Sequence, residues 1–425
     1  MNREILPTSN IDATVRLPGS KYIANRLIPL CALAKSQSNL TNVVDNNDIN
    51  TAIKGLSELG YLFLKQENKL VVLPRAKSLD RPANLYTAHS GTFSRFVCAI
   101  AALEKQPVFI TCSDKMATRP MSELFNCLKQ LQVTIGSKPG SISQFLPATI
   151  KGPFEGDECD LDASRSSQYL SALLVIAPLL DNGLKIHLSG ELVSKAYVDM
   201  TIKLMAKMGV QVEQANNTFS VEPEQSYQGI EYEIPCDPVS STYFIAAVAI
   251  AGGRVTIEGF DFDSVQGESE FSQVLEAMGA KVERNNNQLT IVSNAELNAI
   301  EVDMGNMPDA VQTLAVVACF AKGTTRITNI AHLAYKESNR IEDTATELRK
   351  VGIKVKSGID FLEIVGGKTE AAVINTHDDH RMAMSMALLG IRTSGIKILD
   401  AQVVEKSFPE YWGYLTQIGL KSKAI

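Results

Sequence analysis

The sequence predicts an α/β protein made of one helix-and-strand unit repeated six times and divided into two lobes of three units. Two recurring elements carry that reading. An apolar, Ala-rich helix running into a β-branched strand recurs as CALAKSQSNLTNVV, AIAALEKQPVFITC, LLVIAPLLDNGLKIHLSG, FIAAVAIAGGRVTIEGF, LAVVACFAKGTTRITNI and MALLGIRTSGIKILD. An amphipathic helix that stops just before a second strand recurs as LSELGYLF, LKQLQVTI, LMAKMGVQV, LEAMGAKV, LRKVGIKV and LTQIGL.

In chain order the second element ends at Gly60, Gln132, Gly209, Gly279, Gly352 and Gly419, with spacings of 72, 77, 70, 73 and 67 residues. Glycine suits the left-handed residue that closes a helix, so these positions mark helix ends. One copy would be an ordinary helix terminus, whereas six at near-constant spacing indicate a repeat. The alternation of helices and strands predicts an α/β architecture whose helices are buried on more than one side. Six such units exceed what one core usually holds, which favours two lobes. The Pro-punctuated stretches LPGSK (17–21) and IPCDPVSS (234–241) are the hinge candidates. A ligand gripped between the lobes draws residues from both halves of the chain.

Of 425 residues, 45% are hydrophobic and 21% charged, as expected for a globular protein with a full core. A net charge of −6 with no Lys/Arg-rich run argues against a nucleic-acid partner and leaves local basic sites for a small anion. The seven cysteines (31, 98, 112, 127, 159, 236 and 319) form no CxxC pair and are expected as buried free thiols. No apolar run approaches about 18 residues and MNREILPTSN lacks a signal core, so a cytoplasmic protein with no membrane partner is expected. Nothing demands more than a monomer.

Cations stand in apolar or turn settings along the whole chain. Lys21 and Arg26 lie in LPGSKYIANRLIPLCALA, Arg95 in HSGTFSRF and Arg119 in KMATRPM. Lys336 and Arg340 lie in AYKESNR, Arg381 in HDDHRMAM and Lys406 in VEKSFPEYW. Arg95 and Arg381 precede runs that must be buried, so an anion or carboxylate is expected to meet each. Ser166, Ser167 and Gln168 open an apolar helix, where capping needs one serine and a phosphate seat would use more. Ser194 is a further hydroxyl. Lys336 and Arg340, four apart, are expected on one helix face, with Glu337 adjacent. Asp309 is expected as an N-cap or first-turn acid, and two carboxylates among these cations suit general acid and base roles. His377 and His380 form HxxH, but without further ligands no metal is assigned.

The segments LPGSK…NR, SGT…R, RP at 119–120, SSQ, LVSKAYVD, PDA, YKESNR, DDHRMAM and KSFPEYW, spanning residues 17 to 412, resemble the signature segments of the 5-enolpyruvylshikimate-3-phosphate synthase family of enolpyruvyl transferases. The sister enzyme acting on UDP-N-acetylglucosamine typically has a cysteine before the RP pair, and SDKMATRP has none. The resemblance implies a two-lobed inside-out α/β barrel of βαβαββ-type units. Residues 1–18 would join 238–425 in one lobe and 19–237 would form the other. It also implies transfer of the enolpyruvyl group of phosphoenolpyruvate to the 5-hydroxyl of shikimate 3-phosphate, without cofactor or metal. On that basis Lys21, Gly91, Arg119, Gln168, Arg340, Arg381 and Lys406 hold phosphoenolpyruvate. Ser166, Ser167, Ser194 and Lys336 surround the acceptor, with Lys21 and Arg26 beside it. Asp309 takes the hydroxyl proton, and Glu337 with Lys21 manages the methylene proton.

Several acceptor-side positions depart from the family pattern. Tyr22 replaces a small serine, His89 an asparagine, and His332 an asparagine that often meets an acceptor hydroxyl. Phe93, Ser94 and Phe96 alter the surroundings of Arg95, and Asn339 stands for an aspartate. These departures leave open a different phosphorylated cyclic alcohol as acceptor. A non-catalytic phosphometabolite-binding protein is the alternative from another class, and retention of both Asp309 and Glu337 speaks against it.

Overall fold

The six expected helix ends all adopt the left-handed conformation: φ is 86° at Gly60, 89° at Gly209, 111° at Gly279, 84° at Gly352 and 89° at Gly419. Gln132, the one non-glycine, reaches φ 64°. These values come from a computed structural model that describes residues 1–66, 69–75, 77–136 and 144–425.

Among the described residues the strands form six four-stranded sheets and one two-stranded pair. The six share one pattern. In the simplest case Ala83–Tyr86 runs parallel to Val108–Thr111, which pairs antiparallel with Ala148–Lys151, itself antiparallel to Thr134–Gly136. Glu158–Asp162, Leu184–Ser189, Thr218–Val221 and Glu213–Ala215 repeat it. A parallel pair needs a crossover, and in four of the sheets the Ala-rich helix supplies it. In five sheets the antiparallel pair is a hairpin that follows the amphipathic helix. Each sheet is thus a parallel pair extended by antiparallel strands, as the two recurring sequence elements anticipate.

The chain divides into two compact units: Gly19–Ile234, and Met1–Pro18 together with Pro235–Ile425. In the first, Glu231–Glu233 returns to lie parallel to Ser38–Thr41. In the second, Arg3–Ile5 pairs with both Lys397–Ile398 and Ser422–Ala424, and Ile11–Arg16 runs parallel to Gly253–Glu258. The helices Pro238–Ala251 and Val311–Ala318 are buried on essentially every face, which explains their nearly unbroken apolar composition. Six of the seven cysteines are buried, Cys112 partly, and all are free thiols. Among the described residues no helix is long and apolar enough to cross a membrane.

Candidate active site

Most of the singled-out residues stand at the beginnings of helices. Lys21 opens Lys21–Ala32, Gly91 opens Gly91–Ala101, Ser167 opens Ser167–Ile176, and Ser194 immediately precedes Lys195–Lys207. In the other unit, Arg340 opens Arg340–Lys350 and Arg381 is second in His380–Ala387. Free backbone N–H groups and the positive end of the helix dipole make such positions favourable to anions.

In the unit Gly19–Ile234 one cluster forms around Gly91. A methyl group built on this glycine would lie 2.8 Å from Arg95 Nη1, 3.1 Å from Arg119 Nη1 and 3.9 Å from Gln168 Oε1. The absent side chain is what lets two guanidiniums approach one backbone. Arg95 is buried and meets no carboxylate among the described residues, which leaves an anionic ligand as the partner expected from the sequence. It donates to Gly91 O (2.9 Å) and Pro120 O (3.3 Å) and lies 5.7 Å from the Tyr169 ring centre. Burial lowers its pKa, the Tyr169 phenol opposes that, and Arg119 adds to it. Gln168 Nε2 donates to Thr92 Oγ1 (3.2 Å). Ser166 is the N-cap, accepting from Gln168 N at 3.3 Å, so Ser167 is left over from capping. Ser194 makes no capping bond and sits at φ 52°.

A second cluster in this unit joins Lys21, Tyr22, Arg26 and Tyr197. The rings of Tyr22 and Tyr197 pack 5.3 Å apart, and Lys21 Nζ lies 5.4 Å from the Tyr22 ring centre. Arg26, 2% exposed, donates to Thr201 Oγ1 (2.9 Å), Tyr197 O (3.2 Å) and Tyr22 O (3.0 Å). Burial pushes its pKa down to about 10 against the opposing Tyr197 and Tyr22 phenols, so it stays charged at neutral pH. Lys21 also has an acidic neighbour invisible in its own segment, Asp48 Oδ2 at 3.8 Å. His89 Nδ1 pairs with Ser113 Oγ at 2.7 Å.

In the other unit Arg340, 1% exposed, is the hub of three carboxylates. Its Nε donates to Asp379 Oδ2 (2.7 Å), Nη1 to Asp309 Oδ1 (2.7 Å) and Nη2 to Glu337 Oε2 (2.9 Å). Arg381 Nη2 donates to Asp309 Oδ2 (3.0 Å) and its Nη1 to the Tyr243 hydroxyl (3.0 Å), while Lys406 Nζ donates to Glu337 Oε1 (2.8 Å). Burial alone would lower the Arg340 pKa, yet Asp379, Glu337 and Asp309 hold it above its ordinary value. Burial likewise opposes ionisation of Glu337, but Arg340 and Lys406 keep it well below the usual carboxylate range.

Two sequence expectations fail here. Asp309 is neither cap nor first-turn residue: the helix begins at Val311, and the Asp309 carboxylate is drawn instead to Arg340 and Arg381. Lys336 and Arg340 do not share a helix face, because Lys336 ends the short 3-10 turn Ala331–Tyr335 and the helix starts at Arg340. Lys336 is exposed, and His332, partly buried in that turn, has its pKa lowered by burial and by Lys336.

Sequence reading missed Asp379, Tyr243 and Glu268. Asp379 is fully buried and N-caps its helix by accepting from Arg381 N (2.9 Å). Glu268, 2% exposed, accepts from Asp309 N at 3.1 Å, and burial with the Asp309 charge raises its pKa to about 7. An Asp before His-Arg at a helix start was a readable capping signal; Glu268 offered none, since only tertiary contact brings it to Asp309.

The arrangement provides carboxylates as proton carriers, and the two clusters of the Gly19–Ile234 unit gather Lys21, Arg26, Arg95 and Arg119, which suits an anionic ligand. A family model for EPSP synthase (3-phosphoshikimate 1-carboxyvinyltransferase) matches residues 5–415. A 3-phosphoshikimate 1-carboxyvinyltransferase of Erwinia tasmaniensis is 38% identical over 421 residues, 97% of each chain. That of Escherichia coli O6:H1 is also 38% identical over the same span, 97% of each chain. A solved EPSP synthase structure from Acinetobacter baumannii superposes with a TM-score of 0.87 at 23% identity, covering 99% of both chains. That likeness gives the chain the two-lobed inside-out α/β fold of those synthases. With the family match spanning nearly its whole length and relatives 38% identical over 97% of it, the chain belongs to the EPSP synthase family.

Proposed function

We propose that the protein transfers the enolpyruvyl group of phosphoenolpyruvate to the 5-hydroxyl of shikimate 3-phosphate, releasing phosphate. The observation that carries this is the hub in which Arg340 joins Asp309 and Glu337, each also held by a second cation, inside a chain of this family. Two carboxylates paired with three cations can exchange protons without leaving an unbalanced charge.

In this reading Lys21, Gly91, Arg119, Gln168, Arg340, Arg381 and Lys406 serve phosphoenolpyruvate. Lys21, Tyr22, Arg26, Ser166, Ser167, Ser194, Asp309, His332 and Lys336 serve the acceptor. The three cations of the Arg340 hub face three carboxylates and are already balanced. Net attraction for a phosphorylated carboxylate therefore comes chiefly from Arg95, Arg119, Arg26 and Lys21. The acceptor oxygen attacks C2 as Asp309 takes its proton and the C3 methylene gains one, through Glu337 with Lys21. The resulting ketal loses a proton from C3, the C2–O bond to phosphate breaks, and phosphate leaves with the electron pair. No cofactor or metal enters these steps. The protein is read as a cytoplasmic monomer with neither nucleic acid nor membrane as partner.

The deciding assay is phosphate release from phosphoenolpyruvate with and without shikimate 3-phosphate. Acceptor-dependent release is expected; binding of phosphoenolpyruvate without release would refute the reading and point to another phosphorylated alcohol.

Two substitutions probe the donor and acceptor sides. Gly91→Ala drives a methyl group against Arg95 Nη1 and Arg119 Nη1, so both guanidiniums must move. The KM for phosphoenolpyruvate is expected to rise roughly tenfold or more, with the acceptor KM little changed. Tyr22→Phe keeps the packing on Tyr197 and removes one hydroxyl. A roughly three- to tenfold rise in acceptor KM is expected; an unchanged value takes Tyr22 out of the acceptor site.

A further inference from the structure

His377, the first histidine of the HxxH stretch, has no part in the scheme above, yet it occupies a strained turn. His377 and Asp378 are consecutive non-glycine residues in the left-handed region, at φ 50° and 54°. Side chains rarely adopt this conformation, and a successive pair persists only when its surroundings hold it.

The holding group is on the helix Arg340–Lys350. The fully buried Glu347 carboxylate accepts from Asn375 N through Oε2 (3.0 Å) and pairs with His377 Nε2 through Oε1 (2.7 Å). One carboxylate therefore grips the turn at two points. Asp343 Oδ1 faces His377 Nδ1 at 3.5 Å, and Lys350 Nζ lies 2.8 Å from each Glu347 oxygen. Within the turn, His377 N donates to Asn375 Oδ1 (2.9 Å) and Asp379 N to Thr376 O (2.8 Å). Asp379 then divides its carboxylate between Arg381 N (2.9 Å) and Arg340 Nε (2.7 Å). The turn aims Asp379, and Asp379 holds the Arg340 guanidinium and the backbone N–H of Arg381.

We propose that His377 is a positioning residue: clamped to Glu347, it fixes the strained turn that sets Asp379 and, through it, Arg340 and Arg381. Its kinetic consequence rests on the assignment of those two arginines to phosphoenolpyruvate; its structural consequence does not.

The test uses the full chain with His377→Ala and His377→Gly, comparing hydrogen exchange across residues 375–387 with steady-state kinetics. Loss of the clamp should speed exchange of the Asp379 and Arg381 amides roughly tenfold and raise the phosphoenolpyruvate KM by a similar factor. The acceptor KM should change less than about twofold, being set elsewhere. His377→Gly relieves the backbone strain without restoring the imidazole, so it should share the alanine defect. Recovery of wild-type exchange and KM in His377→Gly would mean that only the turn's conformation matters, and the proposal falls. Unchanged exchange in His377→Ala overturns it as well. If the wild-type protein shows no acceptor-dependent turnover, the functional reading fails, and the exchange comparison still decides the clamp. Should the alanine variant not fold, His377→Gln, which keeps one donor toward Glu347, is expected to retain intermediate protection; exchange equal to that of wild type again refutes the clamp.

Discussion

Replacing Arg340 by alanine is expected to destabilise the protein by about 3–5 kcal/mol at neutral pH, the range for removing one partner of a buried ion pair. The guanidinium is 1% exposed and meets Asp309, Glu337 and Asp379. Its loss strands the fully buried Asp379 and leaves Asp309 and Glu337 with one cation each, Arg381 and Lys406. The pH dependence gives the mechanism a sign. In the wild type, Glu337 is held well below its ordinary pKa; that contribution is present above the unfolded value and is lost as pH falls through the folded one. Without Arg340, burial opposes ionisation of the stranded Asp379, so the variant loses stability as pH rises. The deficit should therefore widen from about pH 4 upward, where an unfolded aspartate ionises. Urea unfolding of both proteins at pH 5 and pH 8 measures it. A deficit that is equal at the two pH values, or larger at pH 5, rules out the stranded-carboxylate account. Catalysis should fall together with stability, because Arg340 also orients Glu337 and Asp309.

Asp309→Asn is expected to lower kcat by about 10²–10⁴-fold, the span for loss of a general base, without raising the dissociation constant for phosphoenolpyruvate. The amide keeps the shape but withdraws the charge that neutralises Arg340 and Arg381, so both cations attract the donor at least as well as before. Rapid-quench turnover and equilibrium titration separate the two effects. A kcat within tenfold of wild type would remove Asp309 from the proton-transfer role. The same substitution acts on Glu268, whose pKa of about 7 comes first from burial and then from the Asp309 charge. A carboxyl with a raised folded pKa favours the folded state fully below its unfolded value of about 4.5 and loses that advantage as pH rises through the folded one. In Asp309→Asn the folded value falls, so the loss is completed at lower pH.

The repeat was legible because it rests on local chemistry. A left-handed helix end favours glycine whatever packs around it, and five of the six positions spell that out in one letter. The clusters were legible as a set of cations with two of their partners, Asp309 and Glu337. Asp48 lies outside the segment that contains Lys21, and Glu268 and Asp379 reach the hub from other elements, so no spacing rule relates them. Helical spacing misled at 336–340 because the chain turns between Lys336 and Arg340, and a period of four has meaning only within one helix. At Arg95 burial did not bring a protein carboxylate among the described residues: two carbonyls and a tyrosine ring surround its charge.

The permuted sheets carry a consequence for synthesis. The unit Gly19–Ile234 is contiguous and has all its strands once residue 234 has emerged. The strand Arg3–Ile5 is made some four hundred residues before its partners Lys397–Ile398 and Ser422–Ala424. During translation its strand edges stay unmet until those partners have been added. Arg3–Ile5 thus acts as a clasp fastened late, so loss of residues 397–424 leaves its edges exposed.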